Sequence, residues 1–379
     1  MFQLEKTKMV DAMRAVLPGV DKGASGIDGA NLFLFKNDRL FTYNSVTSVS
    51  VPFPLGGMKF GVNATNFFAF VSKLNELMVN IDFIMDKEDA TKIKSVKVSS
   101  GKSKANFVLS DTTEIEKYLE GIAFTEGKPA PENFNEAFAL TIIKNNIHAE
   151  MKGVVTTKVG DKTFLAASDK RRISVHELDK EMDEFKVDDD VLADALKLGK
   201  PKTYAIVGPW LHLGFENDVT FSCVRQDLSK FNAPKMLAAL DNLCKISPVV
   251  EGKLPKTLAE AITRVSALAG AVNQNTGLTV RLTFSKEGIT AYAEKKDGNA
   301  EELVPWDTEV KFNCVDTVQS WVSISILLEA GSKVTDFKVV CTNPEKKVYA
   351  FLFIGEKYKA LVGGISLDNK EQTKENEKA

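Results

Sequence analysis

The sequence predicts an α+β protein built from three tandem repeats, each with two helices lying on antiparallel strand groups. Two observations carry this. A short pattern of apolar, any, apolar, then Asn or Asp recurs as Phe60-Gly61-Val62-Asn63, Phe185-Lys186-Val187-Asp188 and Val310-Lys311-Phe312-Asn313. The copies lie 125 residues apart, from Asn63 to Asp188 and from Asp188 to Asn313. Around them, runs of strands alternate with single helices, which indicates α+β rather than a parallel βαβ arrangement.

Taken in order, the first helix of each repeat follows a polar start. Thr7 precedes Met9, Met13, Val16 and Leu17, which share one helical face. One period later Glu132 stands beside Asn133 and Asn135, ahead of Phe138, Ile142 and Ile143. A further period gives Thr257, ahead of Leu258, Ile262 and Val265. The second helix begins at the repeated Asn or Asp, whose side chain caps it by accepting a backbone N–H. Phe67, Val71, Leu74 and Met78 follow Asn63; Leu192 and Leu196 follow Asp188; Val318, Trp321 and Val322 follow Asn313.

Alternating apolar residues place strands in 31–51, with a turn at Asn37-Asp38, and in 154–175, with a turn at Gly160-Asp161. A third group covers 278–306, with turns at Lys286-Glu287-Gly288 and Asp297-Gly298. Each repeat closes on another hairpin: 96–109 around Gly101, 211–224 around Asn217, and 337–354 around Asn343-Pro344. Segments 125–131 and 247–255 are rich in Pro, Gly and charge and read as linkers. The expected domains are therefore 1–128, 129–248 and 249–367, followed by a charged, disordered tail at 368–379.

Composition narrows the function. The chain has 379 residues, 44% hydrophobic and 26% charged, enough for two or three ordinary globular domains at roughly 150 residues each. Lys and Arg number 49 against 51 Asp and Glu, so any nucleic-acid binding requires cations gathered on one face. No apolar run reaches the roughly 18 residues of a membrane span. The start, Met1-Phe2-Gln3-Leu4-Glu5-Lys6, lacks a signal-peptide pattern. Cys223, Cys244, Cys314 and Cys341 form no C-x-x-C pair, which argues against zinc and disulfides and fits a reducing cytoplasm.

Catalytic signatures are missing. Gly101-Lys102-Ser103 has no glycine five residues earlier, so it is a hairpin turn rather than a P-loop. Dinucleotide, nucleophile-elbow and zinc-helix patterns are also absent. His148, His176 and His212 fall in three different elements and read as surface or internally satisfied residues. Asp188-Asp189-Asp190 reads as a helix start, where negative charge meets the positive end of the dipole. No catalytic residue, metal or cofactor is expected. Three copies of one domain without a chemical cluster favour a scaffold or binding architecture.

Here the residues resemble a known family, the bacterial-type DNA polymerase sliding clamp (beta subunit). Ser168-Asp169-Lys170-Arg171-Arg172-Ile173-Ser174-Val175 is similar to the family's Thr-Asp-Gly-His-Arg-Leu-Ala-Val segment. Ser100-Gly101-Lys102-Ser103-Lys104-Ala105-Asn106-Phe107-Val108-Leu109 resembles its Ser-Gly-(Arg/Lys)-Ser-Arg-Phe-x-Leu hairpin, and Lys230-Phe231-Asn232 falls where the family has Arg-Phe-Pro. The likeness spans nearly the whole chain apart from the tail, and the divergence elsewhere points to a bacteriophage member.

The resemblance implies three processivity-fold domains on curved antiparallel sheets, with two chains joined head to tail in a ring around duplex DNA. It implies DNA polymerase and a clamp loader as protein partners. Lys8, Arg14, Lys22, Lys73, Lys144, Lys152, Lys197, Lys200 and Arg264 are the expected DNA-facing residues. Phe107 and Leu109, meeting Ala267 and Leu268 of the other chain, are the expected seam. The expected partner-peptide groove holds Asp169, Arg172, Ile173, Met236, Leu237, Val362, Gly363, Gly364 and Ile365. Gly363-Gly364-Ile365 stands where relatives carry a Met-Pro-Met-like end, and Lys170-Arg171 where they have Gly-His, so the peptide recognised can differ. The competing readings are a repeat-built β-rich interaction or virion protein that does not encircle DNA, and an enzyme whose site assembles from different repeats.

Overall fold

The computed structural model describes residues 1–21, 26–87, 89, 92–122, 126–144, 146, 148–229, 231–270, 277–313 and 317–365. Lys22, Lys230, Cys314 and the expected tail lie outside the described residues. The chain divides into two compact units: Met1–Asn135 with Phe185–Asp227, and Glu136–Glu184 with the chain from Leu228.

The helices are α1 (Lys6–Val16), α2 (Ala64–Ser72), α3 (Thr113–Glu120), α4 (Phe134–Thr141), α5 (Asp189–Leu196), α6 (Ala233–Cys244), α7 (Leu258–Val265) and α8 (Ile324–Lys333). Helix, strands, helix, strands recurs three times, on α1 and α2, α4 and α5, then α7 and α8. Helices α3 and α6 follow the last strands of the first and second copies and were not expected from the sequence.

The first unit holds a four-stranded sheet in the order Phe2–Glu5, Met78–Met85, Ile93–Ser100, Ser103–Val108. Its eight-stranded sheet runs Phe60–Asn63, Leu32–Lys36, Arg39–Tyr43, Thr47–Pro52, Thr220–Val224, Trp210–Gly214, Thr203–Val207, Lys128–Pro129. The join is antiparallel, with Ser48 opposite Ser222 and Ser50 opposite Thr220. In the second unit a four-stranded sheet runs Gly298–Pro305, Gly288–Lys295, Thr279–Phe284, Val318–Ser323. A larger sheet there contains, side by side, Val154–Val159, Lys162–Ser168, Arg172–Glu177, Tyr358–Gly363, Val348–Ile354, Asp336–Asn343, Val250–Lys253 and Lys311–Phe312. Its join places Arg172 opposite Val362 and Ser174 opposite Ala360.

Each unit buries an aromatic cluster. Phe35 stacks on Phe60 at 4.5 Å and meets Phe53 and Phe67 edge-on at 5.0 and 6.0 Å. Phe284 lies 5.9 Å from both Phe337 and Phe351, with Trp306 stacked on Phe337. The turn at Asn37 and Asp38 takes φ of 52° and 56°, the paired left-handed values of a tight hairpin. Asp38 Oδ1 then accepts from the N–H of Leu55 and Gly57, tying the turn to the following loop.

Two of the three expected caps form. Asn63 Oδ1 accepts from Asn66 N at 3.0 Å, and Asp188 Oδ1 from Asp190 N at 2.9 Å. The third does not: Lys311–Phe312 is a short strand, Val318–Ser323 is a six-residue strand, and α8 starts only after Ser323. The reason is that Val318, Trp321 and Val322 fit two periods. Three and four apart suits a helix, but all three are buried in a strand covered on both faces and laddered to Thr279–Phe284. The period therefore lengthens in the third copy.

Cys223 is buried and its thiol is pushed up to about 12 by that burial; Cys244 and Cys341 are free and partly buried. His212 is buried on Trp210–Gly214 with Nδ1 2.7 Å from Ser222 Oγ, and burial holds its pKa down to about 4. Its folded value lies below the ordinary 6.5, so the unfolded chain binds more protons between the two. That stability is present above pH 6.5 and is lost as pH falls towards 4, about 3 kcal/mol in all. His176, also held down by burial, acts in the same sense. Urea titrations between pH 7 and 5 should show falling stability, and His212→Gln should make that slope shallower.

Candidate partner-binding groove

The groove expected after Ser168 lies wholly in the second unit. Asp169-Lys170-Arg171 turns the chain between two strands, with Lys170 at φ 69°. Asp169 Oδ1 accepts from the N–H of Arg171 and Arg172 at 3.2 and 3.0 Å, which is how a short acidic side chain fixes a turn.

Asp169 and Arg172 are both buried, and their polar atoms are engaged inside the fold. Arg172 Nε donates to Asp169 Oδ2 at 2.7 Å, Nη1 to Glu329 Oε2 at 2.5 Å and Nη2 to the Lys144 carbonyl at 2.6 Å. Glu329 Oε1 accepts from Lys144 N at 3.2 Å and Lys333 Nζ at 3.1 Å. Lys333 also donates to the Ile142 carbonyl at 2.6 Å, and burial lowers its pKa against the pull of Glu329. This closed network ties the turn to α8 and to the end of α4. Satisfied buried pairs of this kind are costly to break on one side only.

Beyond the network the surface becomes apolar. A cavity of about 340 Å³ is lined by Met151, Ile173, Phe231, Asn232, Lys235, Met236 and Ala239. Helix α6 forms its wall. Asn232 caps α6 by accepting from Lys235 N at 3.0 Å, and a proline, Pro234, sits in its first turn where no N–H is needed. Leu237 and Leu240 are buried behind the wall with Val155, Ala166 and Val175. Met151 and Met236 give the cavity flexible thioether sides that adapt to different apolar shapes.

The structure thus brings Ile173 and Met236 into one cavity. It places Leu237 and Val362 in the core. Gly363 N donates to the Arg171 carbonyl at 2.8 Å, Gly364 N to Tyr349 O at 2.9 Å and Ile365 N to Trp321 O at 2.7 Å, so the last strand is bonded onto the turn. A Cβ on Gly364 would stand 2.5 Å from Tyr349 O, which explains a glycine there. Met151, Phe231, Lys235, Ala239, Glu329 and Lys333 were not expected. Asn232, Pro234 and the spacing of Met236, Leu237, Leu240 and Leu243 were a readable signal for α6. Glu329 and Lys333 had none.

The expected cations among the described residues fall on helices or in the segments that follow them. Lys8 pairs with Glu5 at 3.1 Å, Arg14 with Asp11 at 3.0 Å, Lys197 with Asp194 at 2.5 Å and Lys200 with Glu132 at 2.5 Å. Arg264 grips Glu302 through two nitrogens at 3.0 and 2.6 Å. Lys73 is the exposed C-cap of α2, Lys144 is exposed after α4, and Lys152 N donates to His148 O.

Of the expected seam residues, Phe107 is half-buried against Phe67 and Phe70 at 4.8 and 5.8 Å, and Leu109 is half-buried. Between them Val108 is 79% exposed. Ala267 and Leu268 lie in a 3₁₀ turn after α7 rather than on the helix itself.

Solved structures match this architecture along nearly its whole length. The DNA polymerase sliding clamp from Bacillus subtilis superposes with a TM-score of 0.74 at 16% identity, covering 96% of this chain and 98% of that one. The chain has the sliding-clamp fold. The beta subunit from the DNA polymerase of Streptococcus pyogenes gives 0.75 at 15% identity, over 96% and 99%. The Helicobacter pylori beta clamp bound to a DNA ligase peptide gives 0.72 at 17%, over 96% and 99%. No family model and no curated protein matches the sequence. The clamp likeness is therefore carried by the path of the backbone.

Glu329→Leu should destabilise this clamp fold by about 3–5 kcal/mol, because it leaves the buried Lys333 without a carboxylate and Arg172 with Asp169 alone. Adding Lys333→Met to Glu329→Leu, which removes the ammonium left without its carboxylate, should recover part of that loss in urea titrations.

Proposed function

We propose that this protein is a DNA processivity clamp. Two chains join head to tail into a ring around duplex DNA and tether a replicative DNA polymerase and other replication proteins, after a clamp loader has opened the ring. It performs no reaction of its own. The observation that carries the reading is the sliding-clamp fold along 96% of the chain. In this reading 1–128, 129–248 and 249–367 are three clamp domains. In this reading it acts in a bacterial cytoplasm or a phage-infected cell, as a bacteriophage member of the family.

Two exposed edges support the dimer. Ser103–Val108 ends one four-stranded sheet and exposes Val108; Gly298–Pro305 ends the other and exposes Leu303 at 49%. Unpaired edges carrying apolar residues invite pairing with another chain. Phe107 and Leu109 of one protomer would then meet Ala267 and Leu268 of its partner. The groove at Ile173 and Met236 would take partner peptides. The helix cations, and Lys22 with them in the same role, would face the phosphates.

Native mass spectrometry should give twice the 41.6 kDa chain mass, and negative-stain images a two-chain ring with a central hole. A single-chain mass at micromolar concentration would refute the ring. Leu109→Glu should yield single chains; an unchanged dimer mass would remove the seam. Met236→Glu should weaken capture of the polymerase at least tenfold, as expected for an anchor in a desolvated pocket, while leaving the dimer intact. Replacing Lys73, Lys144 and Lys197 together by Gln should shorten retention on circular DNA, and unchanged retention would dissociate these lysines from DNA.

A further inference from the structure

The first unit contains a cavity of about 280 Å³ built on the same plan as the groove of the second unit. In each unit the last strand of a three-stranded group is laddered to the final strand of the next copy, Thr47–Pro52 to Thr220–Val224 and Arg172–Glu177 to Tyr358–Gly363. In each, the helix that closes a copy stands beside the ladder: α3 here, α6 there. The linings differ: Thr220 and Ser222 floor this cavity from the second strand of its ladder, whereas Tyr358–Gly363 contributes no lining residue to the other.

Here the floor is a double row of hydroxyls. Ser48 faces Ser222 and Ser50 faces Thr220 across the ladder, all four lining the cavity. Phe41, opposite Ser50, joins Leu119 and Ile122 to make one apolar wall. The remaining lining residues are Arg39 and Asp218, which pair with each other.

The guanidinium of Arg39 is held independently of that carboxylate. Its Nη2 donates to Ser50 Oγ at 3.0 Å and to the Asp218 carbonyl at 2.7 Å, while Nη1 faces the Asp218 side chain. Arg39 is 23% exposed and the Asp218 side chain 76%. A pair so exposed on the acid side holds little energy. An incoming carboxylate could take the place of Asp218 without reorienting the arginine, and a pre-set donor lowers the cost of binding.

We propose that this cavity is a second docking site, for a short peptide segment of a partner protein in which a carboxylate side chain is followed by apolar ones. The carboxylate binds Arg39, the apolar side chains rest on Phe41, Leu119 and Ile122, and the hydroxyl rows hydrogen-bond the peptide. In the free protein Asp218 occupies the carboxylate position and competes with the ligand. The site is distinct from the Met236 groove and stands whether or not the chain forms a ring.

The test uses the full chain carrying Met236→Glu, so that the other groove does not contribute, and calorimetry with acetyl-Asp-Leu-Phe-amide. Removing the competitor with Asp218→Ala should tighten binding about tenfold, and Asp218→Gly, which accepts the φ of 57° at that position and so keeps the turn, should do the same. Adding Arg39→Met to Asp218→Ala should abolish it, and acetyl-Asn-Leu-Phe-amide should bind Asp218→Ala at least tenfold more weakly. If Asp218→Ala binds no tighter than its parent, or binds the Asn and Asp peptides equally, the proposal is overturned.

Discussion

The fold depends on one constraint: the three-stranded groups of the first and second copies are each continued by a strand of the next copy. A strand at the end of a group has a full row of backbone N–H and C=O groups that must find partners. Thr47–Pro52 finds them on Thr220–Val224, and Arg172–Glu177 on Tyr358–Gly363. Each partner strand comes from the next copy along the chain. The tandem arrangement is therefore needed for hydrogen bonding as well as for length, and a single copy would leave a long edge open. Both cavities grow beside these two ladders, because a ladder is where a helix from one copy meets strands from another.

This constraint also explains what the sequence could and could not disclose. Hairpins such as the one at Asn37-Asp38 are local, and so are the caps at Asn63 and Asp188; each was legible. The sheet joins are not local, and no pattern announces them. The third repeat misled for a definite reason. Val318, Trp321 and Val322 satisfy helical spacing, yet the chain is used as a strand because Thr279–Phe284 offers it a six-residue ladder. At the groove, Ile173 and Met236 were legible as apolar positions. The burial of Arg172 was not, because its partner Glu329 lies 157 residues away and stands on a helix whose start was misplaced.

The helix cations show how a chain of net charge −2 can suit the proposed role. Lys8, Arg14, Lys197 and Arg264 have a carboxylate partner three or four residues away on or beside their own helix. Exposed pairs of this kind are worth about 0–1 kcal/mol and are screened by salt. A phosphate can replace such a partner at small cost, and the partner returns when the phosphate moves on. Contacts this weak and this easily exchanged favour mobility along DNA over tight binding, and enclosure rather than affinity would then supply retention.

The two arginines beside the ladders carry the same chemistry to opposite ends. Arg172 has its carboxylates inside the protein: the Asp169 and Glu329 side chains are 8% and 14% exposed, and no solvent-borne ligand can compete for them without dismantling a buried charge network. Arg39 has a carboxylate that is mostly in water, while its other donors are fixed by Ser50 and a main-chain oxygen. Repetition supplied the same scaffold twice, and the exposure of the acid partner decides what each arginine can do. One is committed to shaping the floor from which Ile173 projects. The other keeps a face whose occupant can change.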